Sequence, residues 1–338
     1  MYTLKSAEGK ELKMPVSAMA AKMEYIGTAV SDKDWYNWCI SPIDDDEGKT
    51  HLFVSRWPAR CKMGGWVTEC EIAHFISDSA EGPFKYVETV LHNDIMPKGQ
   101  IAPHNVHVKK IDGRYCMNYI VQTKKGVPDA INGQVIGLAV ADSLNGPWKF
   151  VGEDGIVIRP QATGWTANSA QGTDNPDIMK VKDKYYIYFK AGLSQADSKY
   201  GYAVADKLEG PYTISASQIT DNVNYIEDTT CFEWDGKYYL LTCDNFGDNT
   251  GVLGYGILWE SEDGKLFKLA DAKVGFGLMS DYRDIPENAA YPYGRGKIKF
   301  ERPAVLMRDG KPAYFYASNG VNVDGFEATQ NFVLKINL

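Results

Sequence analysis

The chain has 338 residues, a formal charge of −8 and 12% aromatic residues, among them 21 tyrosines. Its length allows one large domain or two ordinary ones. The negative charge argues against a nucleic-acid partner, because phosphate binding requires clustered lysines and arginines. No apolar run approaches the roughly 18 residues of a membrane-spanning helix, so no membrane partner is predicted. Frequent tyrosines with dispersed glycine and proline indicate many short strands joined by turns.

The cellular compartment stays open at this stage. Residues 1–23 contain no continuous apolar segment of the kind found in signal peptides. The protein is therefore expected to be cytoplasmic if Met1 is the native start, and periplasmic or secreted if a signal peptide has been removed. The six cysteines show no C-x-x-C spacing, so no metal site is predicted from them.

Two phrases recur along the chain. The first contains a turn followed by a tyrosine-rich run, and it reads in chain order "DEGKTHLFV", "IDGRYCMNY", "VKDKYYIYF", "WDGKYYLLT" and "RDGKPAYFY". The second reads "FISDSAEGPFKYV", "LAVADSLNGPWKF" and "YAVADKLEGPYTI", with its glycines Gly82, Gly146 and Gly210 each 64 residues apart. Self-similarity at a fixed period indicates a repeat architecture.

Each cycle of this repeat predicts four antiparallel strands, with a hairpin turn after the first and a G-P turn after the third. Such sheets repeated around an axis are the blades of a β-propeller. Five cycles predict an all-β, five-bladed propeller formed by residues 1–338 as a single domain. The fifth cycle is one strand short, and residues near Met23 to Val30 are expected to supply that strand and close the ring. A pair of β-sandwiches is the alternative, but sandwiches lack such a repeat.

A constant offset from each hairpin marks one position near the start of the first strand of every blade. Reading back eleven residues from the second strand gives Cys39, His104, Asp174, Glu227 and Glu301, and the following residues are Ile40, Asn105, Asn175, Asp228 and Arg302. Because first strands line a propeller's channel, these residues are expected to form a ring at one mouth. Converging carboxylates raise one another's pKa, as general acids and bases require. The alternative is that the acids and amides cap turns.

The far end of each second strand returns to the same mouth, because the second strand is antiparallel to the first. Polar and aromatic groups there suit a sugar ring that stacks on aromatics and accepts several hydrogen bonds. The predicted substrate-binding residues at the ring and its rim are His104, Asn105, Asn175, Arg302, Arg56, Trp57, Trp38, Lys190 and Asp244.

Over nearly its whole length the chain resembles the five-bladed propeller glycoside hydrolases of families 43, 32 and 117. The phrase "ERPAVLMRDGKPAYFYAS" fits the E-x-P and D-G-x-Y-Y pattern of the general-acid blade in family 43, and "DNPDIMKVKDKYYIYF" and the G-P phrases also carry the resemblance. The phrases "DWYNWCISPIDDDEGKTHLFVSRWP" and "PHNVHV" are similar to bacterial family-43-like and family-117-like proteins.

This resemblance implies hydrolysis of a glycosidic bond by a base, a pKa-tuning acid and a proton donor at the channel mouth. Glu301 matches the donor motif, and Asp174 and Glu227 are expected to act as base or tuner. The first blade departs from the family pattern, since Cys39 and Ile40 stand where the base is usual. Either Asp32 or Asp34, just upstream, is expected to supply the base, or the acids of blades three to five together fill the catalytic roles.

The expected activity is exo-acting, inverting hydrolysis of a plant or algal oligosaccharide. No cofactor is expected, and a structural calcium ion in the channel is left open. Two alternatives remain open. One is a polysaccharide lyase that uses His104 and a tyrosine, and the other is a carbohydrate-binding propeller without chemistry. No oligomeric state is predicted.

Overall fold

The computed structural model describes residues 11–123, 133–290, 298–320, 323–325 and 327–338. The strands there form five antiparallel sheets arranged as a propeller, so the predicted fold class is confirmed. Blade five takes its outer strand from the start of the chain, β1 (Met23–Val30). Blade one holds β2 (Trp35–Asp44), β3 (Thr50–Pro58), β4 (Glu71–Ser77) and β5 (Lys85–Leu91).

The next three blades follow in chain order. Blade two holds β6 (Gln100–Ile111), β7 (Arg114–Thr123), β8 (Gln134–Ala141) and the short β9 (Lys149–Phe150) and β10 (Ile156–Ile158). Blade three holds β11 (Asp174–Val181), β12 (Lys184–Ala191), β13 (Lys199–Ala205) and β14 (Thr213–Ile214). Blade four holds β15 (Ile226–Trp234), β16 (Lys237–Asp244), β17 (Gly256–Ser261) and β18 (Lys273–Phe276).

Blade five is completed by β19 (Glu301–Arg308), β20 (Lys311–Asn319) and β21 (Gln330–Ile336). The helices are short: α1 (Ala18–Ala21) and the 3₁₀ segments Ala59–Val67, Leu269–Asp271, Met279–Asp281 and Val323–Gly325. Among the described residues, no helix has the length and apolar character needed to cross a membrane.

The hydrophobic core lies between neighbouring blades, where the aromatic second strands face the next sheet. Tyr188 of β12, Trp259 of β17 and Phe267 are fully buried in one cluster shared by blades three and four. The rings of Tyr188 and Phe267 meet edge to face at 5.9 Å. Buried aromatic side chains of this size dominate core energetics, which explains why the repeated phrase is rich in tyrosine.

Blade five closes the ring as the sequence predicts. Strand β1 pairs antiparallel with β21, from Met23 opposite Ile336 to Val30 opposite Asn331. The first and last parts of the chain therefore share one sheet, and β1 covers the edge that β21 would otherwise expose.

The channel holds a buried cross-link between three blades below the level of the predicted ring. Nζ of Lys109 on β6 lies 2.8 Å from Oδ2 of Asp177 on β11 and donates to the carbonyl oxygen of Cys231 on β15. The Cys231 N–H and the Thr230 hydroxyl donate to the same carboxylate oxygen. Burial opposes both charges, yet the ammonium lowers the pKa of Asp177 and the carboxylate raises the pKa of Lys109. This cross-link borders a separate cavity of about 500 Å³ on the hairpin side of the inner strands.

A calcium ion does not fit at this level of the channel. Calcium takes six to eight oxygen ligands, usually with carboxylates among them. The Asp177 carboxylate is already neutralised by Lys109, whose ammonium occupies the adjoining space and would repel a divalent cation. Within the described residues, the Lys109 ammonium occupies the position between Asp177 and Cys231 that a calcium ion bridging the blades would need.

Removing residues 1–30 is expected to unfold the protein or lower its thermal midpoint sharply, because the deletion uncovers the β21 edge. The deletion also removes Met19, which is fully buried. Glu24→Ala, which alters an exposed side chain on the same strand, is the matched control. Melting curves followed by circular dichroism would test this. A truncated protein that melts with the wild type would contradict the closure.

Lys109→Met is expected to destabilise the fold by about 3–5 kcal/mol, because it leaves the fully buried Asp177 carboxylate without its cation. The neighbouring Lys110→Met removes an ammonium paired with the exposed Asp46 and should leave the stability almost unchanged. Denaturant unfolding of the wild type should be the same with calcium and with EDTA. A midpoint that falls on adding EDTA would instead indicate a bound structural cation.

Candidate active site

A pocket of about 360 Å³ opens at one mouth of the channel, at the start of the inner strands. The three acids predicted to be catalytic, Asp174, Glu227 and Glu301, all line it. Six of the predicted substrate-binding residues also line it: Trp38, Trp57, His104, Asn105, Asn175 and Arg302. The structure therefore brings most of the predicted ring together.

Each inner strand carries an irregularity at this mouth that the sequence pattern did not reveal. In blades two to five the ladder skips two residues directly after the predicted ring residue. The first skipped residue is left-handed in each blade, with φ of 52° at Asn105, 51° at Asn175, 66° at Asp228 and 54° at Arg302. Asn and Asp tolerate this region better than other non-glycine residues. Such strain persists only where the surrounding structure holds it, commonly at functional sites.

These residues are held by a chain of hydrogen bonds that crosses the channel, here called the polar belt. The Cys39 thiol donates to Oδ1 of Asn105 at 2.7 Å, and the Asn105 amide donates to Oδ1 of Asn175 at 3.3 Å. The Asn175 amide donates to Asp228 at 2.8 Å, and Arg302 pairs with that same carboxylate. One side chain from each blade therefore takes part, and the belt forms the floor of the pocket.

The structure corrects the register predicted for the first blade. The irregularity of β2 lies between Asn37 and Ile40, so Asn37 and Trp38 occupy the ring positions that the sequence assigned to Cys39 and Ile40. The first hairpin loop has five residues, 45–49, whereas the hairpin of blade two has two. Counting back a constant number of residues from the hairpin therefore gives the wrong ring position in blade one.

The first blade contributes no carboxylate to the pocket among the described residues. Asp32 and Asp34, the upstream candidates, are both exposed. Asp32 accepts the N–H of Asp34, and Asp34 pairs with Lys33 at 2.7 Å. Neither acid therefore takes the place that the family pattern gives to a base.

Two of the pocket acids share one buried cation. Nζ of Lys190 lies 3.7 Å from Oδ2 of Asp174 and 3.6 Å from Oε2 of Glu227. Glu227 also accepts hydrogen bonds from the Tyr225 hydroxyl and the Asn245 amide. Oδ1 of Asp174 is buried and has no hydrogen-bond partner in the described residues. The two acids are therefore held in different environments although they adjoin the same ammonium.

This difference separates their pKa values. Burial raises the pKa of Asp174 to about 6 despite Lys190, and the negative charge of Glu227 adds to the rise. Burial also opposes the charge of Glu227, but Lys190, Arg302 and Lys299 together lower its pKa to about 2. Near neutral pH, Glu227 is ionised and Asp174 titrates. Carboxyl groups whose pKa values are pushed apart in this way are suited to acid and base roles.

Glu301 has a cation of its own. Its Oε1 lies 2.6 Å from Nζ of Lys299, and Lys299 also donates to the Asn245 side chain. Glu301 further shares a hydrogen bond with Asp228, whose pKa burial raises well above its usual range even though Arg302 lies against it. Arg302, which follows Glu301 in the chain, pairs with Asp228.

A second possible metal position does not fit an ion either. Ligand atoms of Asp228, Cys243 and Glu301 lie within 4.8 Å of one another. Arg302 already contacts Asp228 and Lys299 already contacts Glu301, so two positive charges beside this position would repel a metal ion. Burial raises the pKa of Cys243 well above its usual range, which opposes the thiolate a metal would require.

His104 presents a neutral ring to the pocket. Its Nδ1 lies 2.7 Å from the Ala102 carbonyl oxygen and donates to it, which leaves a lone pair on the buried Nε2. Burial lowers the pKa of His104 to about 4. The Trp66 ring packs against it at 5.2 Å. His104 can therefore accept a hydrogen bond from a bound hydroxyl group at neutral pH.

The aromatic wall is fixed by packing within blade one. The Trp57 indole donates to the Lys62 carbonyl oxygen at 2.7 Å and stacks on Tyr36 at 5.8 Å. Gly65 lies so close that an added Cβ would be 2.3 Å from Trp57 Cδ1. The segment Ala59–Val67, which supplies Trp66, is thereby held against the wall.

Three predicted substrate-binding residues lie outside the pocket lining. Arg56 turns to the other face of its sheet, where it pairs with Glu71 at 2.8 Å and covers the Trp35 ring. Asp244 is fully buried and accepts hydrogen bonds within the loop that follows β16. Lys190 lies behind the acids, so its contacts are with Asp174 and Glu227.

Sequence reasoning missed several lining residues, including Trp66, Tyr225, Phe246 and Lys299. Lys299 precedes Glu301 by two residues in an extended segment, so strand alternation could have placed both on one face. The others lie in loops or segments whose path no repeat phrase predicts.

No protein-family model matches the sequence. A xylosidase/arabinosidase 43A from Humicola insolens is 31% identical over 104 residues, which span 29% of each protein. A family 117 glycoside hydrolase from Zobellia galactanivorans has a TM-score of 0.67 at 15% identity, covering 94% of this chain and 91% of its own. An exo-1,5-α-L-arabinanase from a bovine ruminal metagenomic library has a TM-score of 0.56 at 16% identity, with coverages of 91% and 96%. The predicted resemblance to the propeller fold of glycoside hydrolase families 43 and 117 is confirmed.

Proposed function

We propose that the protein is a glycoside hydrolase that removes a terminal sugar from a plant or algal oligosaccharide with inversion. The observation that carries this proposal is the meeting of Asp174, Glu227 and Glu301 in one pocket at the channel mouth. The pocket lies on a fold that is shared with glycoside hydrolases of two families.

The size and lining of the pocket support a small sugar ligand. Ligand sites usually enclose roughly 300–1,000 Å³, and about 360 Å³ places this pocket at the small end. The polar belt closes its floor, so a polysaccharide cannot run through it. Indole rings beside amide side chains suit the apolar face and the hydroxyl groups of one sugar ring. This shape supports exo action at a chain end.

Asp174 is the proposed proton donor. It lines the pocket, its pKa is about 6 and one carboxyl oxygen lacks a protein partner. Glu301 was predicted from the sequence to be the donor, but its carboxylate forms an ion pair with Lys299. Glu301 instead orients Lys299 beside the reacting centre.

Glu227 is the proposed base, since it is ionised near neutral pH and adjoins the same Lys190. Oδ2 of Asp174 and Oε2 of Glu227 are at most about 7.3 Å apart, because they lie 3.7 Å and 3.6 Å from the same atom, Nζ of Lys190. Inverting glycosidases place their carboxyl groups roughly 6.5–9.5 Å apart to admit a water, and retaining enzymes about 5–5.5 Å apart. This limit covers both ranges, so the proposal of inversion rests on the resemblance to the family rather than on this distance.

Pentose-containing oligosaccharides are the first substrates to test. The curated relative is named a xylosidase/arabinosidase and one structural neighbour an arabinanase. A second candidate function, sugar binding without hydrolysis, is favoured by Asn37, which leaves the first blade without an acid at the ring position. Release of sugar distinguishes the two functions.

Asp174→Asn is expected to lower the rate on natural oligosaccharides by about 10²–10⁴-fold and to affect activated aryl glycosides much less, because such leaving groups depart without a proton. Glu227→Gln should lose activity on both substrates. Glu233→Gln changes an exposed acid at the far end of the same strand and serves as control. A selective loss in Glu301→Gln rather than in Asp174→Asn would return the donor role to Glu301.

The pH profile of kcat/KM is expected to fall as pH rises through about 6. A proton donor works only while protonated, and Asp174 loses its proton at that pH. Glu227 stays ionised down to about pH 2, so it should produce no acidic limb above that value. The falling limb should persist in Glu301→Gln and disappear in the residual activity of Asp174→Asn. Activity that rises through pH 6 would make Asp174 a base.

A further inference from the structure

We propose that Phe246 is the stacking platform for the leaving-group sugar, the second ring of the bound oligosaccharide. This inference rests on the proposed function and adds the subsite next to the reacting bond. Phe246 lines the pocket and is 41% exposed, so part of its ring is accessible to a ligand. Its ring lies 6.1 Å from that of Tyr225, so it extends the pocket wall towards solvent.

The position of Phe246 follows from its neighbour in the chain. Asn245 donates to Glu227 and accepts from Lys299, so its side chain lies between two of the pocket's charged groups. Phe246 is therefore held directly beside the acids. The leaving-group sugar must lie there when the glycosidic bond that joins it to the terminal sugar is cleaved. Aromatic rings suit the C–H face of a sugar ring because they offer a large apolar surface.

The loop that carries Phe246 is built around Asp244. The Asp244 carboxylate accepts the backbone N–H groups of Gly247 and Asn249 at 3.1 Å and of Thr250 at 2.8 Å, together with the Thr250 hydroxyl. Gly247 has a φ of 75°, and a Cβ there would lie 2.4 Å from the Leu253 nitrogen. The loop is thus fixed before any ligand binds, which lowers the entropic cost of binding.

The platform carries no hydrogen-bonding group of its own. It therefore contributes affinity for a ring and little discrimination among hydroxyl patterns. Recognition of the terminal sugar falls to the pocket, whereas the second position accepts any ring that presents an apolar face. The ligand class at this subsite is a pyranose or furanose ring joined to the terminal sugar.

The test compares substrates with and without a second ring. Xylotriose and arabinotriose provide it, and the methyl xyloside and methyl arabinofuranoside lack it. Phe246→Ala should raise KM for the trisaccharide that the wild type cleaves by about tenfold, the effect of a well-placed aromatic contact. KM for the matching methyl glycoside should stay within about twofold. Phe246→Trp should keep the wild-type KM.

Tyr86→Ala is the matched control, since Tyr86 is a 51% exposed aromatic on β5, away from the pocket. Tyr86→Ala should leave KM unchanged for both substrates. An equal loss on both substrates in Phe246→Ala would mean that the residue supports the acids, and it would overturn the platform. An unchanged KM on both substrates would overturn it as well.

Calorimetric titration separates this inference from the proposed function. Wild-type protein that binds a trisaccharide without cleaving it would refute hydrolysis, while weaker trisaccharide binding by Phe246→Ala would still support the platform. Cleavage with a KM that does not depend on Phe246 would refute the platform alone. Wild-type protein that binds neither trisaccharide overturns both.

Discussion

The pocket depends on a chain of hydrogen bonds with one member in each blade. The donors and acceptors of the polar belt meet only if the five inner strands stand at matching heights, and the left-handed residues aim their side chains across the channel. His104, Asp174, Glu227 and Glu301 each directly precede a belt residue. Fixing the belt therefore fixes the four side chains that the chemistry needs. A missing member would leave a buried polar group unpaired, at a cost of about 1–3 kcal/mol.

Buried charge is the second constraint. Each buried ion costs several kcal/mol unless it is paired with good geometry, and the site meets this with Lys190, Lys299 and Arg302. Arg302 and Lys299 each have a close carboxylate partner. Lys190 stands between two acids at longer range, so its charge cannot keep both ionised equally well. The raised pKa of Asp174 follows from this uneven pairing together with its burial.

The fold was predictable because the repeat is written in the chain. The G-P turns and tyrosine-rich strands recur at nearly constant spacing, so blade number, strand number and the closing strand all follow from counting. The ring was predictable in blades two to five for the same reason. It failed in blade one because a hairpin loop three residues longer than that of blade two shifts the register. The repeat period carries no information about ion pairs or loop hydrogen bonds. It could not predict that Lys299 pairs with Glu301, or that Asp244 accepts the backbone N–H groups of its own loop.

The channel is closed at two levels, by the polar belt and, below it, by the Lys109 ammonium between Asp177 and Cys231. The pocket and the cavity on the hairpin side are therefore separate chambers. Any molecule that enters the upper chamber must leave by the same opening. Substrate entry and product release therefore use the same opening. A sugar released at the bottom of the pocket must dissociate before the next chain end can bind.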